Sequence, residues 1–143
     1  MRKAIVADTG PLYASVDPSD QYHRRAQVEL EEIASKGYFL VISYATLSEA
    51  YTLVLRRLGT RCGRRWLSEV VEGTMLINPE PSDYLNACKL IEEFSDQAIT
   101  LFDAVTATIG SRLRAPVWSY DRHFEILGVK LWTGAGGPRS RLQ

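Results

Sequence analysis

Short apolar runs alternate with longer amphipathic stretches along the chain. Within each run the apolar residues follow one another directly, which is typical of a strand buried on both faces of a parallel sheet. The longer stretches space their apolar residues as helices do. This alternation predicts an α/β fold in which helices cover both faces of a parallel sheet. The predicted strands are Ala4–Ala7, Phe39–Ile42, Met75–Ile77, Val117–Ser119 and Lys130–Trp132.

Capping residues predict where the helices begin and end. Ser19 or Asp20 is expected to cap the first long helix. Ser43 is expected to cap the next one, which Gly59 ends. The expected apolar stripe of the first long helix is Tyr22, Ala26, Leu30 and Ile33.

A later helix is predicted to open at Thr100, in a segment with the form of a capping box that Asp103 completes. Small residues follow at spacings that place them on one face of this helix. Because small side chains allow neighbouring backbone to approach, we expect the helix to pack tightly into the body. The residues of this face are Ala104, Ala107, Thr108 and Ser111.

Composition limits the class of protein. The 143 residues predict one domain, and 17 basic side chains balance 17 acidic ones, so the chain as a whole is not a polycation built for nucleic acid. No apolar run approaches the ~20 residues of a membrane span. Met1 leads directly into the first strand without a signal peptide pattern. Because Cys62 and Cys88 fit no metal or redox spacing, we expect free thiols in a reducing cytoplasm.

Basic residues are nevertheless concentrated in one stretch, which is either a solvated helical face or a surface for phosphate contacts. Its members are Arg56, Arg57, Arg61, Arg64 and Arg65. Residues 133–143 are rich in Gly and Arg and lack an apolar pattern. We expect them to form a mobile tail beyond a single domain of residues 1–132.

Four carboxylates stand where predicted strands end or helices begin. Asp8 and Asp121 stand where apolar strands end, whereas Glu49 and Asp103 are expected in the first turns of helices. The carboxyl ends of parallel strands share one edge of the sheet, where ligands bind in α/β folds. Each acid alone is explained by a turn, a helix cap or a solvated position. Their joint placement favours a functional site.

Gathering four acids costs free energy, since two unit charges ~4 Å apart repel by roughly 4 kcal/mol at an effective dielectric constant near 20. Protonation or a bound cation is needed to offset this repulsion. Oxygen ligands without His or Cys favour Mg²⁺ or Mn²⁺, ions that commonly serve phosphodiester hydrolysis. Ser119 and Thr9 are candidates to add hydroxyl groups beside Asp121 and Asp8.

At this point the chain resembles the PIN-domain nucleases, most closely the VapC type of bacterial and archaeal toxin. The likeness runs from Ile5 to Trp132. Ser119 stands where Thr is commoner in the family, which keeps the hydroxyl group. Gly10 stands where Ser is frequent, which loses a possible hydrogen bond. The motifs that carry the likeness are VADTGPL, SYATLSEAY, LFDAVTATIGSRL and VWSYDRHFEILG.

The resemblance implies a three-layer α/β/α sandwich with a five-stranded parallel sheet in the order 3-2-1-4-5. It implies an endoribonuclease in which one or two Mg²⁺ or Mn²⁺ ions activate water and leave 5′-phosphate and 3′-hydroxyl ends. It also implies a homodimer and an antitoxin that covers the site. The catalytic residues carried over by position are Asp8, Glu49, Asp103, Asp121 and Ser119, with the four acids as metal ligands.

Other functions remain open at this stage. A housekeeping PIN nuclease of RNA processing would carry the same residues, and a degenerate PIN scaffold would be expected to lack one of the acids. A haloacid-dehalogenase-like phosphatase would need Asp-x-Asp after the first strand, where Gly10 occupies the third position. A receiver-like domain would need paired acids there, and Asp8 is unpaired locally.

Overall fold

The computed structural model describes residues 3–132 of the chain. Within this range the sheet has four parallel strands in the order β3-β2-β1-β4. The predicted order of these strands is therefore confirmed, and β3 has the predicted bounds. The strands are β1 (Lys3–Ala7), β2 (Tyr38–Ser43), β3 (Met75–Ile77) and β4 (Val117–Trp118).

The predicted fifth strand is reduced to a single pair of residues. Leu131 forms an isolated parallel bridge to Val117. Val117 donates its N–H to the Lys130 carbonyl and accepts from the Trp132 N–H, both at 2.9 Å. This bridge lies on the free side of β4, where the fifth strand was expected. Because β4 itself has only two residues, the pairing between β4 and the segment around Leu131 does not continue beyond this bridge.

Helices cover both faces of the sheet, as the buried strands predict. Alternate residues of β1 enter two different cores: Ile5 and Ala7 pack on one side, and Val6 packs on the other. The helices are α1 (Thr9–Ala14), α2 (His23–Ser35), α3 (Tyr44–Leu58), α4 (Thr60–Gly73), α5 (Pro81–Glu93), α6 (Leu101–Leu113) and α7 (His123–Ile126). Among them, none combines the length and apolar character needed to cross a bilayer.

Helix boundaries agree with the sequence in α3 and differ in α2. The Ser43 side chain accepts from the Thr46 N–H and caps α3, and Gly59, at φ +94°, ends it. In contrast, α2 begins at His23, not at Ser19 or Asp20. The Asp20 carboxylate instead accepts from the Tyr22 N–H at 2.8 Å. This local turn competes with the helix and delays its start.

The predicted apolar stripe of α2 is buried only in part. Ala26 and Ile33 are buried, as expected. Tyr22 and Leu30 are 36% and 37% exposed, so they share the spacing of the stripe but not its burial. For Tyr22 the reason is its place before the first residue of the helix.

A half-buried ion pair joins α5 to α6. Arg112 donates to both carboxylate oxygens of Asp83, at 2.9 and 3.0 Å. Burial alone would raise the pKa of Asp83, but the hydrogen bonds from Arg112 and the Glu80 N–H outweigh it and lower that pKa. The ionised carboxylate therefore stays paired, and α6, which carries Asp103, is tied to the layer beside it.

The small-residue face of α6 allows the expected close approach. Ala104 and Ala107 are buried, although Ser111 is exposed. The tightest point is Gly110, where an added Cβ would lie 3.0 Å from Val117 Cγ2 and 3.3 Å from the Ala115 carbonyl oxygen. Glycine at this position thus allows α6 to pack directly on the strand that leads into Ser119.

We expect Gly110→Ala to lower the free energy of unfolding by about 1–2 kcal/mol, because the gain in helix propensity is smaller than the cost of overpacking. Chemical denaturation measures the change. Gly73→Ala is the matched control, since a Cβ added at Gly73 would meet no heavy atom within 4 Å. It should be neutral or stabilising by up to about 1 kcal/mol. Equal effects of the two substitutions would contradict the packing argument.

Candidate active site

The candidate site begins where β1 and β4 end side by side. The Asp8 N–H donates to the Trp118 carbonyl at 3.0 Å, which continues the strand pairing. The Ser119 hydroxyl donates to Asp8 Oδ2 at 2.7 Å and accepts from the Asp121 N–H at 3.1 Å. One serine therefore connects both strand-end aspartates. A cavity of about 570 Å³ opens at this edge, and its lining includes Asp8, Glu49, Asp103, Ser119 and Asp121.

Asp8 is the most deeply placed of the acids, with 7% of its surface exposed. Burial raises the pKa of its carboxyl group from 3.8 to about 6, against the hydrogen bonds from Ser119 and Thr9 that lower it. The negative charges of Asp103 and Asp121 raise it further. The site thus holds acids close enough to oppose one another's ionisation.

Asp103 enters the cavity from the first turn of α6. Its N–H donates to the Thr100 hydroxyl at 3.1 Å, so the predicted cap forms and fixes the backbone at this point. Burial and the charge of Asp121 raise the pKa of the Asp103 carboxyl group. Hydrogen bonding from Thr100 and the proximity of His123 act in the opposite direction.

His123 joins the acids, which the sequence did not predict. Its Nδ1 lies 3.8 Å from Asp103 Oδ2 and 3.5 Å from Asp121 Oδ1. Asp103, Asp121 and His123 each offer one possible ligand atom, and these three atoms lie within 4.8 Å of one another. The donor set is therefore mixed, with nitrogen as well as oxygen. The only hint in the sequence is the position of His123 two residues after Asp121, at the start of α7.

Glu49 differs from the other acids. It lies in the second turn of α3, so its expected place in the first turn was wrong. Its side chain is exposed and lines the cavity, and, like Asp8, it does not belong to the compact group of Asp103, Asp121 and His123. With Ser43 as the cap, as predicted, Glu49 is the sixth residue of the helix and therefore falls in its second turn.

Thr9 contributes a buried hydroxyl group to the same cavity. The residue is 5% exposed, and its Oγ1 has no hydrogen-bond partner among the described residues. A buried hydroxyl group without a partner is uncommon and suits a site that receives a further polar ligand. This fits the suggestion from sequence that Thr9 adds a hydroxyl group beside Asp8.

The basic stretch spans the end of α3 and the start of α4, and its five arginines are exposed. None of them lines the cavity. The Arg57 guanidinium lies 5.1 Å from the ring centroid of Tyr13, a residue that lines the cavity. Arg65 lies in a separate hollow and pairs with Glu69 at 3.9 Å. The stretch therefore does not form one uniform surface beside the acids.

Neither the family models nor the curated proteins compared with the sequence give a match. Solved structures do. VapC20 of Mycobacterium tuberculosis, a toxin that cleaves the sarcin–ricin loop, matches with a TM-score of 0.76 over 87% of this chain and 95% of its own, at 20% identity. The chain has the PIN fold of the VapC toxins.

Two further structures support the same fold. VapBC2 of Rickettsia felis, bound to promoter DNA, gives a TM-score of 0.71 over 90% of this chain and 97% of its own, at 14% identity. A toxin–antitoxin complex of Klebsiella pneumoniae gives 0.61 over 82% and 87%, at 18% identity. The fold class predicted from the VapC resemblance is confirmed. At such identities the likeness concerns the fold, so activity has to be argued from the site.

The raised pKa of Asp8 predicts a pH-dependent stability of the metal-free protein. Because the folded state binds this proton more tightly than the unfolded chain, stability falls as the pH rises from 3.8 to about 6 and stays low above that range. Asp8→Asn keeps an acceptor for Ser119 and removes the charge. We expect it to be more stable than the wild type by about 2–3 kcal/mol near pH 7.5 and to differ little near pH 4.

Urea denaturation across this pH range measures the difference. Asp96→Asn, an exposed position outside the cavity, is the matched control and should track the wild type. A wild-type advantage over Asp8→Asn at neutral pH, without metal, would contradict the assigned electrostatics.

Proposed function

We propose that the chain is a metal-dependent endoribonuclease and the toxin of a toxin–antitoxin pair. The observation that carries the proposal is the cavity at the carboxyl edge of the sheet, where Asp8, Asp103 and Asp121 influence one another's charge. Acids held in this way serve either proton transfer or a cation. The PIN fold shared with VapC20, a toxin that cleaves the sarcin–ricin loop, favours cation binding over proton transfer alone.

The residues present suit a divalent cation. Asp103, Asp121 and His123 would hold it, with Asp8 and Glu49 completing the acidic surroundings. Carboxylate oxygens fit Mg²⁺ or Mn²⁺, and the imidazole nitrogen favours a transition metal such as Mn²⁺ over Mg²⁺. When bound, such a cation supplies charge stabilisation for a phosphodiester and activates water toward it.

The protein's own groups have separate roles in this proposal. Ser119 holds Asp8 in one orientation through its donated hydrogen bond and holds the Asp121 backbone through its accepted one. The Thr100 cap fixes the first turn of α6 and with it Asp103. Asp8, which Ser119 holds and which lines the cavity, adds a carboxylate beside the proposed cation.

The RNA backbone needs positive charge that the acidic cavity does not supply. Arg57, beside the lining residue Tyr13, is the leading candidate of the basic stretch. Arg56, Arg61 and Arg64 remain proposed phosphate contacts on the exposed surface. Arg65 is the weakest candidate, because Glu69 already pairs with it.

The proposed partner is an antitoxin that covers the site, and the proposed assembly is a homodimer. Neighbours of the same fold support the antitoxin, since VapBC2 and the Klebsiella pneumoniae structure are toxin–antitoxin assemblies. The homodimer rests on the VapC resemblance of the sequence. An adjacent gene for a DNA-binding antitoxin would favour the toxin over a housekeeping nuclease of RNA processing.

Cleavage of total cellular RNA by the purified protein, with Mg²⁺ or Mn²⁺, tests the enzyme directly. New 5′ ends are mapped by sequencing. We expect discrete cuts that EDTA removes. Asp103→Asn is nearly isosteric but lacks the charge, and should reduce the rate by about 100-fold or more, since even residues that only support metal ligands contribute 10–100-fold.

Glu125→Gln is the matched control for that experiment. Glu125 is an exposed acid on α7 outside the cavity, so its loss should leave cleavage unchanged. Equal cutting by wild type and Asp103→Asn would mean that the activity comes from elsewhere. A folded wild type that cuts no RNA with either metal would favour a non-catalytic PIN scaffold.

A further inference from the structure

The cavity that contains the acids also has an aromatic wall, for which the proposed chemistry has no use. Tyr22 and Tyr120 both line it. Their ring centroids are 4.8 Å apart, with the planes inclined at 43°. Resting on the proposed function, we propose that Tyr22 is a stacking platform for a nucleobase of the RNA, beside the phosphate that the acids address.

Exposure distinguishes Tyr22 from a core residue. It lies at the head of the apolar stripe of α2, yet 36% of its surface is exposed, whereas Ala26 and Ile33 are at 0% and 2%. Its ring therefore contributes little to the core that α2 forms with the sheet. An exposed aromatic side chain at the rim of a cavity is a common feature of binding surfaces.

The backbone holds Tyr22 in place on both sides. Its N–H donates to Asp20 Oδ1 at 2.8 Å, and its carbonyl accepts from the Ala26 N–H at 2.8 Å. The first bond belongs to the turn that delays α2, and the second to the first turn of that helix. A side chain on so defined a backbone loses less entropy when a ligand binds.

Tyr120 packs against the ring of Tyr22 and is itself held by other side chains. The Tyr120 hydroxyl donates to Glu29 Oε1 at 2.5 Å, and Glu29 is 2% exposed. The Arg25 guanidinium lies 4.3 Å from the Tyr120 ring centroid and 5.8 Å from that of Tyr22. Tyr120 also stands between Ser119 and Asp121 in the chain. The aromatic wall and the acids are therefore parts of one rigid arrangement.

A nucleobase fits the chemistry of this wall better than other groups. It is flat and uncharged, so the neighbouring carboxylates do not repel it, and it stacks on tyrosine in a manner tolerant of base identity. The guanidinium of Arg25 pairs with Glu29 at 3.2 Å and lies beside both rings, so it helps to hold the two tyrosines in place. Gln21, exposed on the same lining, offers an amide to a base edge.

Binding measurements on model RNA separate stacking from backbone contact. The probes are a fluorescein-labelled oligoadenylate of twelve nucleotides and an abasic ribose-phosphate strand of equal length, with Ca²⁺ in place of Mg²⁺ and RNA integrity checked on gels. Fluorescence anisotropy gives both dissociation constants. Tyr22→Leu should weaken oligoadenylate binding about 10-fold and leave the abasic strand unaffected. Tyr22→Phe, which keeps the aromatic face, should bind like the wild type.

Tyr44→Leu is the matched control, because Tyr44 is 67% exposed but does not line the cavity. It should change neither constant, and circular dichroism confirms that each variant is folded. An equal loss on both strands, or no loss in Tyr22→Leu, overturns the stacking platform. If wild type still cleaves RNA in that case, the proposed function stands. If folded wild type neither cleaves RNA nor prefers oligoadenylate to the abasic strand, both proposals fail.

Discussion

Like charges that share a cavity repel one another, and a protein can gather them only on a rigid frame. Here the frame is the contact between the ends of β1 and β4, where Ser119 donates to Asp8 and accepts from the Asp121 backbone. Burial raises the pKa of Asp8 to about 6, and the charges of Asp103 and Asp121 add to this rise. The proposed cation and the nearby imidazole of His123 are the positive charges that would offset the free-energy cost of holding these carboxylates together.

The layers around the sheet supply the rigidity. Val6 packs into one core and Ile5 into the other, so β1 cannot shift toward either face without losing contacts. The Arg112–Asp83 pair joins α5 to α6, and Gly110 allows α6 to lie against β4. Asp103 is thus brought to the same edge by a helix that is fixed at several points. Preorganisation of this kind lets charged groups act without first rearranging.

How far the sequence predicts this arrangement depends on the range of the interactions involved. Local rules were sufficient for the strand ends at Asp8 and Asp121 and for the Ser43 and Thr100 caps, since each depends on residues a few positions apart. The fifth strand was overestimated because its pairing partner is only two residues long. Tyr22 lies before the helix because the Asp20 side chain, not helical periodicity, decides where α2 begins.

His123 shows the limit of such rules most clearly. Its approach to Asp103 joins residues from α6 and α7, and no spacing in the chain specifies that distance. The donor set predicted from sequence therefore contained only oxygen, whereas the folded site includes an imidazole. Glu49, which local reasoning placed in a first turn, lies in the second turn of α3, and neither Glu49 nor Asp8 belongs to the compact group of Asp103, Asp121 and His123.

We propose that a divalent cation relieves the repulsion among these acids. Thermal unfolding near pH 7.5, with and without Mn²⁺ or Mg²⁺, tests it directly, because a ligand that binds only the folded state stabilises that state. We expect a rise in the unfolding midpoint of the wild type, larger for Mn²⁺, and little or no rise for Asp103→Asn. The same rise in both proteins, or none in the wild type, would contradict the claim.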